Sequence, residues 1–135
     1  MKQYTITCNE EQLRLIESAV EDWGRFLSGQ CELHNATSMI RPSDAYRECV
    51  DILEKQVRPL VVPELIYPGS SYSWDGGDCP NEHQRKAIAM SYGIYRQILH
   101  FFAKQRDDGS WNAYTSPTLT CEEQGPLIQI EQINK

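Results

Sequence analysis

The chain has 135 residues, of which 40% are hydrophobic and 24% charged, with a formal net charge of −6. That length suits one domain burying roughly two thirds of its unfolded surface, and the composition excludes a disordered chain. The acidic balance excludes a sequence-independent binder of long nucleic acid, and no apolar run approaches the ~20 residues of a membrane span.

In chain order, residues 3–8 (Gln-Tyr-Thr-Ile-Thr-Cys) are rich in β-branched and aromatic types and predict a short first strand. Asn9 then caps a helix, with Gln12 as its capping-box partner and Glu10 and Glu11 at the positive dipole end. Leu13, Ile16, Val20, Trp23 and Leu27 recur at steps of three and four, and Gly29 is the stop. That stripe suits packing against another helix or another copy of the same helix. Residues 30–42 read as a loop. Pro42-Ser43 opens a second helix with Tyr46, Val50, Leu53 and Val57 on one face, ended by Pro59 and Pro63. The stretch 64–80 is a long irregular loop holding Tyr72 and Trp74, two aromatics that predict packing somewhere.

Asn81, with Gln84 at N3, opens the third and longest helix, running to about Lys104. Ile88, Tyr92, Tyr95, Leu99 and Phe102 make one apolar row and Ile94, Ile98 and Phe101 another, which marks it as the central helix. Asp107-Asp108-Gly109 reads as a turn, Trp111 to Thr115 as a strand and Leu127 to Ile133 as a final strand. The expected fold class is α+β: three main helices beside a small, mostly antiparallel three-stranded sheet (β-α-α-loop-α-β-β) in a single domain, 1–135. The N-terminus lacks a signal-peptide core, so a cytoplasmic protein is expected.

Five cysteines (Cys8, Cys31, Cys49, Cys79 and Cys121), odd in number and widely spaced, predict reduced thiols packed as small hydrophobes. Cys31 with His34 and Cys79 with His83 pair thiol and imidazole at short spacing. Zinc sites more often use Cys-x-x-Cys pairs, so packed thiols and surface histidines are the preferred reading, with no metal and no cofactor. The chain has no nucleophile elbow, HExxH, P-loop or dinucleotide fingerprint. No catalytic residue is assigned, and a binding protein is favoured over an enzyme. Gly69, Gly76 and Gly77 lead into a capped helix and could cradle phosphate, but Asp75, Asp78 and Glu82 oppose an anion there.

On the third helix Arg85, Tyr92, Arg96 and His100 share roughly one face, and Phe102, Trp111, Asn112 and Tyr114 follow. Guanidinium for phosphate, rings for a base and an amide for its polar edge suit a nucleotide-like ligand. Spacing alone favours a buried helix with a solvated Arg/Tyr edge.

The runs Tyr92-Gly-Ile-Tyr95-Arg96-Gln-Ile-Leu-His100, Trp111-Asn112-Ala-Tyr114 and Pro126-Leu-Ile-Gln-Ile-Glu131, with the earlier Arg25-Phe26-Leu27-Ser28-Gly29-Gln30, resemble the first-described Thoeris anti-defence family of phage proteins. The resemblance covers about two thirds of the chain. It implies a sponge that sequesters a cyclic ADP-ribose-type or cyclic oligonucleotide immune signal without cleaving it, in the cytoplasm of the infected bacterial host. It also implies a homodimer or hexamer with pockets at subunit boundaries. Phe102 falls where the family stacks a base and Asn112 where an Asn assists. Arg96, Arg25 and Arg106 are the phosphate candidates, and Tyr92 completes the expected ligand set. The last segment departs from the pattern, with Gln129 and Gln132 where a positive charge is expected. The alternative is a phage protein that inhibits a host protein by direct surface binding; a signalling-nucleotide hydrolase ranks third.

Overall fold

Asn9 takes the Gln12 amide on its side chain at 2.8 Å while its own amide donates to Gln12 Oε1 at 2.9 Å. From this reciprocal cap, α1 runs Glu10–Ser28 and ends at Gly29, whose φ of 111° a side chain would resist. The computed structural model that carries this description covers residues 1–40, 43–106 and 109–134. α2 is a single turn, His34–Thr37, inside the stretch expected to be a loop. It has no side-chain cap of its own; the buried Asp22 carboxylate of α1 accepts the Asn35 and Ala36 amides at 3.0 and 2.8 Å instead.

α3, Ser43–Ile52, continues through a π-helical turn, Leu53–Val57, into α4, Arg58–Val61. Pro59 therefore does not end the helix. The wider turn, closed by the Arg58 amide on the Leu53 carbonyl, brings Pro59 in near the start of a new helical turn, where its missing N–H is not needed. The expected start at Pro42 and the turn at Asp107-Asp108 lie outside the described residues.

α5 spans Glu82–Gln105 behind the Asn81 cap. It packs antiparallel to α1: Gly24 lies beside Ser91, and Arg14 near the other end of α1 reaches Phe102 near the end of α5. The approach at Gly24 is close enough that a Cβ there would stand 2.7 Å from the Ser91 Cβ. Val62, Tyr72, Cys79 and Ile88 form the buried cluster at this end, with Leu27, Val61 and Leu65 against it. Gln84 Nε2 donates to the carbonyls of Leu27 (2.8 Å) and Val61 (3.3 Å), tying the three elements together.

The expected α+β fold is overturned: the described residues contain no strand and no sheet. A strand needs a partner to satisfy its backbone, and β-type side chains alone cannot supply one. Residues 3–8 are exposed throughout and meet no ladder. In 111–115, Asn112 Oδ1 takes the Tyr114 amide at 2.8 Å, and the backbone closes into a 3₁₀ turn, Ala113–Thr115.

Residues 127–133 lie along α5 instead of pairing. Gln97 donates to the Ile128 carbonyl and Gln105 to the Gln132 side chain. Four extended residues cover about 13 Å and eight helical residues about 12 Å, so the segment runs parallel to α5 in matching steps. Only Leu127 and Ile130 in this run are half-buried, a spacing of three that a two-faced strand would not give. Among the described residues no helix is long and apolar enough to cross a membrane.

Candidate functional site

The loop between α4 and α5 is held against α1 by Arg58. Its guanidinium donates to the carbonyls of Gly29 (2.9 Å) and Leu65 (3.2 Å) and to the Ser70 side chain (3.2 Å). The Tyr72 amide donates to the Ser28 carbonyl at 2.8 Å, so residues 70–74 cross the end of α1 at a fixed height. Between this crossing, the last turns of α1 and the first half of α5 lies a pocket of about 200 Å³.

Gly24, Arg25, Ser28 and Gln30 line it from α1 and its exit, Tyr72, Ser73 and Trp74 from the loop, and Ile88, Tyr92 and Tyr95 from α5. Its walls are aromatic. Trp74 lies on Tyr92 at 4.9 Å between centroids, and Tyr92 meets Tyr95 edge-on at 5.6 Å. Burial pushes the Tyr95 phenol up to about 12, although Arg25 nearby favours its charged form, so Tyr95 stays neutral in the physiological range. The Tyr72 ring is buried to 6% exposure, and its hydroxyl has no hydrogen-bond partner. A buried, unpaired hydroxyl costs about 1–3 kcal/mol, and this one is closed to solvent on a residue of the core cluster.

Arg25 is the pocket's cation. Glu21 holds it at 2.8 Å and Gln30 Oε1 at 3.4 Å. Burial opposes its charge; Glu21, Tyr95 and Tyr114 together offset that, and the net effect raises its pKa. Behind it lies a second carboxyl, Glu17, lifted to about 8 by burial first and then by its hydrogen bond to Glu21. Asn35 Nδ2 completes the group by donating to Glu21 Oε1 at 3.1 Å.

The structure distributes the expected ligand residues unevenly. Arg25 and Tyr92 meet in the pocket. Arg96 is next to it, its guanidinium carbon 4.9 Å from the Tyr114 ring centroid and 6.0 Å from that of Tyr92. One of its terminal nitrogens contacts the Ala113 carbonyl at 3.4 Å, and the other is buried without a hydrogen bond. His100, on the same side of α5, donates Nδ1–H to the Tyr114 carbonyl at 2.8 Å. Phe102 lies further down α5, buried beneath the Arg14 guanidinium at 4.0 Å. Asn112 spends its side chain on the 3₁₀ cap, and Arg106 is exposed at the end of α5. Neither Phe102, Asn112 nor Arg106 lines the pocket.

Sequence reasoning does not single out Tyr95, Ser73 or Gln30 as ligand residues, and of Tyr72 and Trp74 it says only that an aromatic from their loop could stack on a base. Trp74 carries the one usable signal, an aromatic in a long loop; nothing in the sequence shows that the Tyr72 hydroxyl is unpaired. The glycine-rich loop supplies no free cradle at Gly77, whose amide donates to Asp75 Oδ1 at 2.9 Å, while Ser73 Oγ also donates to Asp75. Gly76 is required for packing, since a Cβ there would stand 2.6 Å from the Arg85 carbonyl oxygen. Cys31 is buried, its thiol on the Phe26 carbonyl at 3.3 Å and pushed up to about 11 by burial; Cys79 is buried, its thiol 3.7 Å from the Asn81 carbonyl. His34 and His83 are exposed. Among the described residues no group of three or more His, Cys, Asp or Glu is placed to hold a metal ion. No family model, no curated protein and no solved structure matches the chain.

Proposed function

We propose that the chain binds a small nucleotide-type anion in the α1–loop–α5 pocket and holds it without turning it over, as a sponge for a cyclic ADP-ribose-type or cyclic oligonucleotide signal. The observation that carries this reading is a pocket walled by Trp74, Tyr92 and Tyr95, with Arg25 on its lining. A planar ring would stack against the aromatic wall at Trp74, and a phosphate would meet Arg25. The volume of about 200 Å³ is below the roughly 300 Å³ at which drug-sized sites begin. One ring system fits inside, and the rest of a cyclic nucleotide lies outside. Sequestration needs affinity alone, which agrees with an arginine and aromatic rings as the working groups.

The test is a thermal-shift screen against cyclic ADP-ribose isomers and cyclic di- and trinucleotides, repeated on Tyr72→Phe and Trp74→Ala. Ligand at about a hundred times its Kd adds about 2.7 kcal/mol to stability. Tyr72→Phe should stabilise the ligand-free protein by about 1 kcal/mol and leave ligand binding unchanged, since the hydroxyl it removes is closed to solvent. Trp74→Ala should abolish the shift. Ligand recovered intact after denaturation supports holding; product would mean hydrolysis. A flat screen at millimolar ligand sinks the reading and leaves direct inhibition of a host protein as the function to pursue.

A further inference from the structure

Glu17, Glu21 and Arg25 stand in a row along α1 at steps of four, and the row ends at the pocket. Arg25 reaches back to Glu21 at 2.8 Å, and Glu21 also accepts from Asn35 Nδ2 at 3.1 Å. Glu17 does not line the pocket. It meets Glu21 carboxyl to carboxyl, and its Oε2 is buried without a hydrogen bond. Two carboxylates in contact repel, so one of the pair keeps a proton. Glu21 has the cation and the amide as partners, which leaves the proton on Glu17, whose O–H donates to Glu21. The buried oxygen agrees, because a charged oxygen closed to solvent and without a donor is costly.

Among the described residues, the other charged or titratable groups facing the row are Asp22, Tyr95 and Tyr114. Asp22 of α1 accepts the Asn35 and Ala36 amides of α2. Tyr95 of α5 faces Glu21 and Arg25, and burial pushes it up to about 12, so it stays neutral across the range that matters here. Tyr114 faces Arg25 and Tyr95, with its ring beside Arg96. α2 brings the uncharged Asn35 to Glu21.

We infer that Glu17 is a positioning residue for the pocket's cation, and that its proton decides how much of the Arg25 charge is available to an anion there. With Glu17 neutral, one carboxylate balances Arg25, and an anion competes with that one alone. With Glu17 ionised, two carboxylates stand in the row, Arg25 is drawn toward them, and an anion is held less well. Linkage requires the converse, that an anion on Arg25 favours the protonated Glu17. Affinity is therefore highest below the Glu17 transition and falls as pH rises through it. The consequence for a nucleotide rests on the reading of the pocket given above, whereas the coupling of Glu17 to Arg25 belongs to the ligand-free chain.

The test uses the full chain labelled with carbon-13 and nitrogen-15, with folding checked by circular dichroism. Without ligand, the Glu17 carboxyl carbon and the Arg25 Nε–H should shift together, with a common midpoint near pH 8. Sulfate, a dianion at every pH used, is the probe for anion binding. Its Kd, read from the Arg25 signal, should rise about fivefold between pH 6.5 and 9.5, the scale of one added charge beyond direct contact. Glu17→Gln keeps a donor toward Glu21 and Glu17→Met keeps none, but neither titrates. In both, the Arg25 signal and the sulfate Kd should stay level, whereas a role in packing alone would leave the wild-type slope in Glu17→Gln. A flat nucleotide screen beside these shifts would sink the proposed ligand and leave the coupling standing. An Arg25 signal that ignores the Glu17 transition, a slope that persists in both variants, or sulfate that leaves Arg25 unmoved at pH 6.5 overturns the inference.

Discussion

α5 is packed on two sides by different materials, and the contrast is clearest at two glycines. At Gly24, on the α1 side, an added Cβ would stand 2.7 Å from the Ser91 Cβ, an atom fixed to the helix backbone. At Gly93, on the side of the C-terminal segment, an added Cβ would also meet its nearest atom at 2.7 Å, but that atom is the Cγ of Gln124. The first neighbour cannot leave without moving a helix; the second belongs to a side chain held only by two long hydrogen bonds. The difference separates the contact that sets the pocket's shape from the one that covers α5. Gly24→Val should have the largest effect, about 3 kcal/mol of destabilisation by overpacking, read as a lower urea midpoint. Ser91→Gly should return part of the loss, and a variant pair that simply adds would break the comparison.

The α1 side also contains its own contradiction, a half-buried carboxyl pair in an otherwise well-satisfied contact. Glu17 has one carboxyl oxygen buried without a hydrogen bond, and burial first, then the bond to Glu21, lifts it from 4.5 to about 8. A carboxyl raised on folding contributes stability that is fully present below its unfolded value and is lost as pH rises through its folded one. Wild type should therefore weaken between about pH 4.5 and 8, in the window set by that shift. Glu17→Gln keeps a donor toward Glu21 and does not titrate, so its melting temperature should match wild type near pH 4 and exceed it at pH 9. Solvent screens the half-buried side chain, which keeps the difference modest. Parallel melting curves for the two proteins across that range would remove the proton from the α1 side.

Much of the helical part is legible in the sequence because its signals are local. Asn9 with Gln12, Gly29, and Asn81 with Gln84 mark α1 and α5 by hydrogen bonds that form within three residues. The expected sheet fails because β-type composition states what a chain could do beside a partner, and no partner strand is present among the described residues for 3–8, 111–115 or 127–133. Asn112 shows the local competition: its side chain takes the Tyr114 amide and turns the backbone before a ladder can begin. In the site, Arg25 and Tyr92 are legible as chemistry. Their meeting with Tyr72 and Trp74 is not, since it depends on Arg58, a helix residue in the sequence pattern that the fold places as the clamp on Gly29, Leu65 and Ser70.

Gly93→Ala probes the softer side of α5 and should have the smallest effect. Alanine favours a helix interior over glycine by about 1 kcal/mol, and against this stands the displacement of Gln124. That side chain is buried to 6% exposure, yet its two bonds, Nε2 to the Leu119 carbonyl at 3.3 Å and the Cys121 amide to Oε1 at 3.4 Å, are long. The two contributions nearly offset, so the urea midpoint should shift by less than about 0.5 kcal/mol in stability. The local consequence should be larger than the global one. With Gln124 displaced, the turn at Glu122–Gln124 loosens, and the half-buried Cys121 thiol should react several-fold faster with an alkylating reagent, located by peptide mass. Cys31, buried at the α1 end, should react at its wild-type rate. Loss of more than about 2 kcal/mol would show that the C-terminal segment is as tightly fixed to α5 as α1 is, and the distinction drawn at the two glycines would fail.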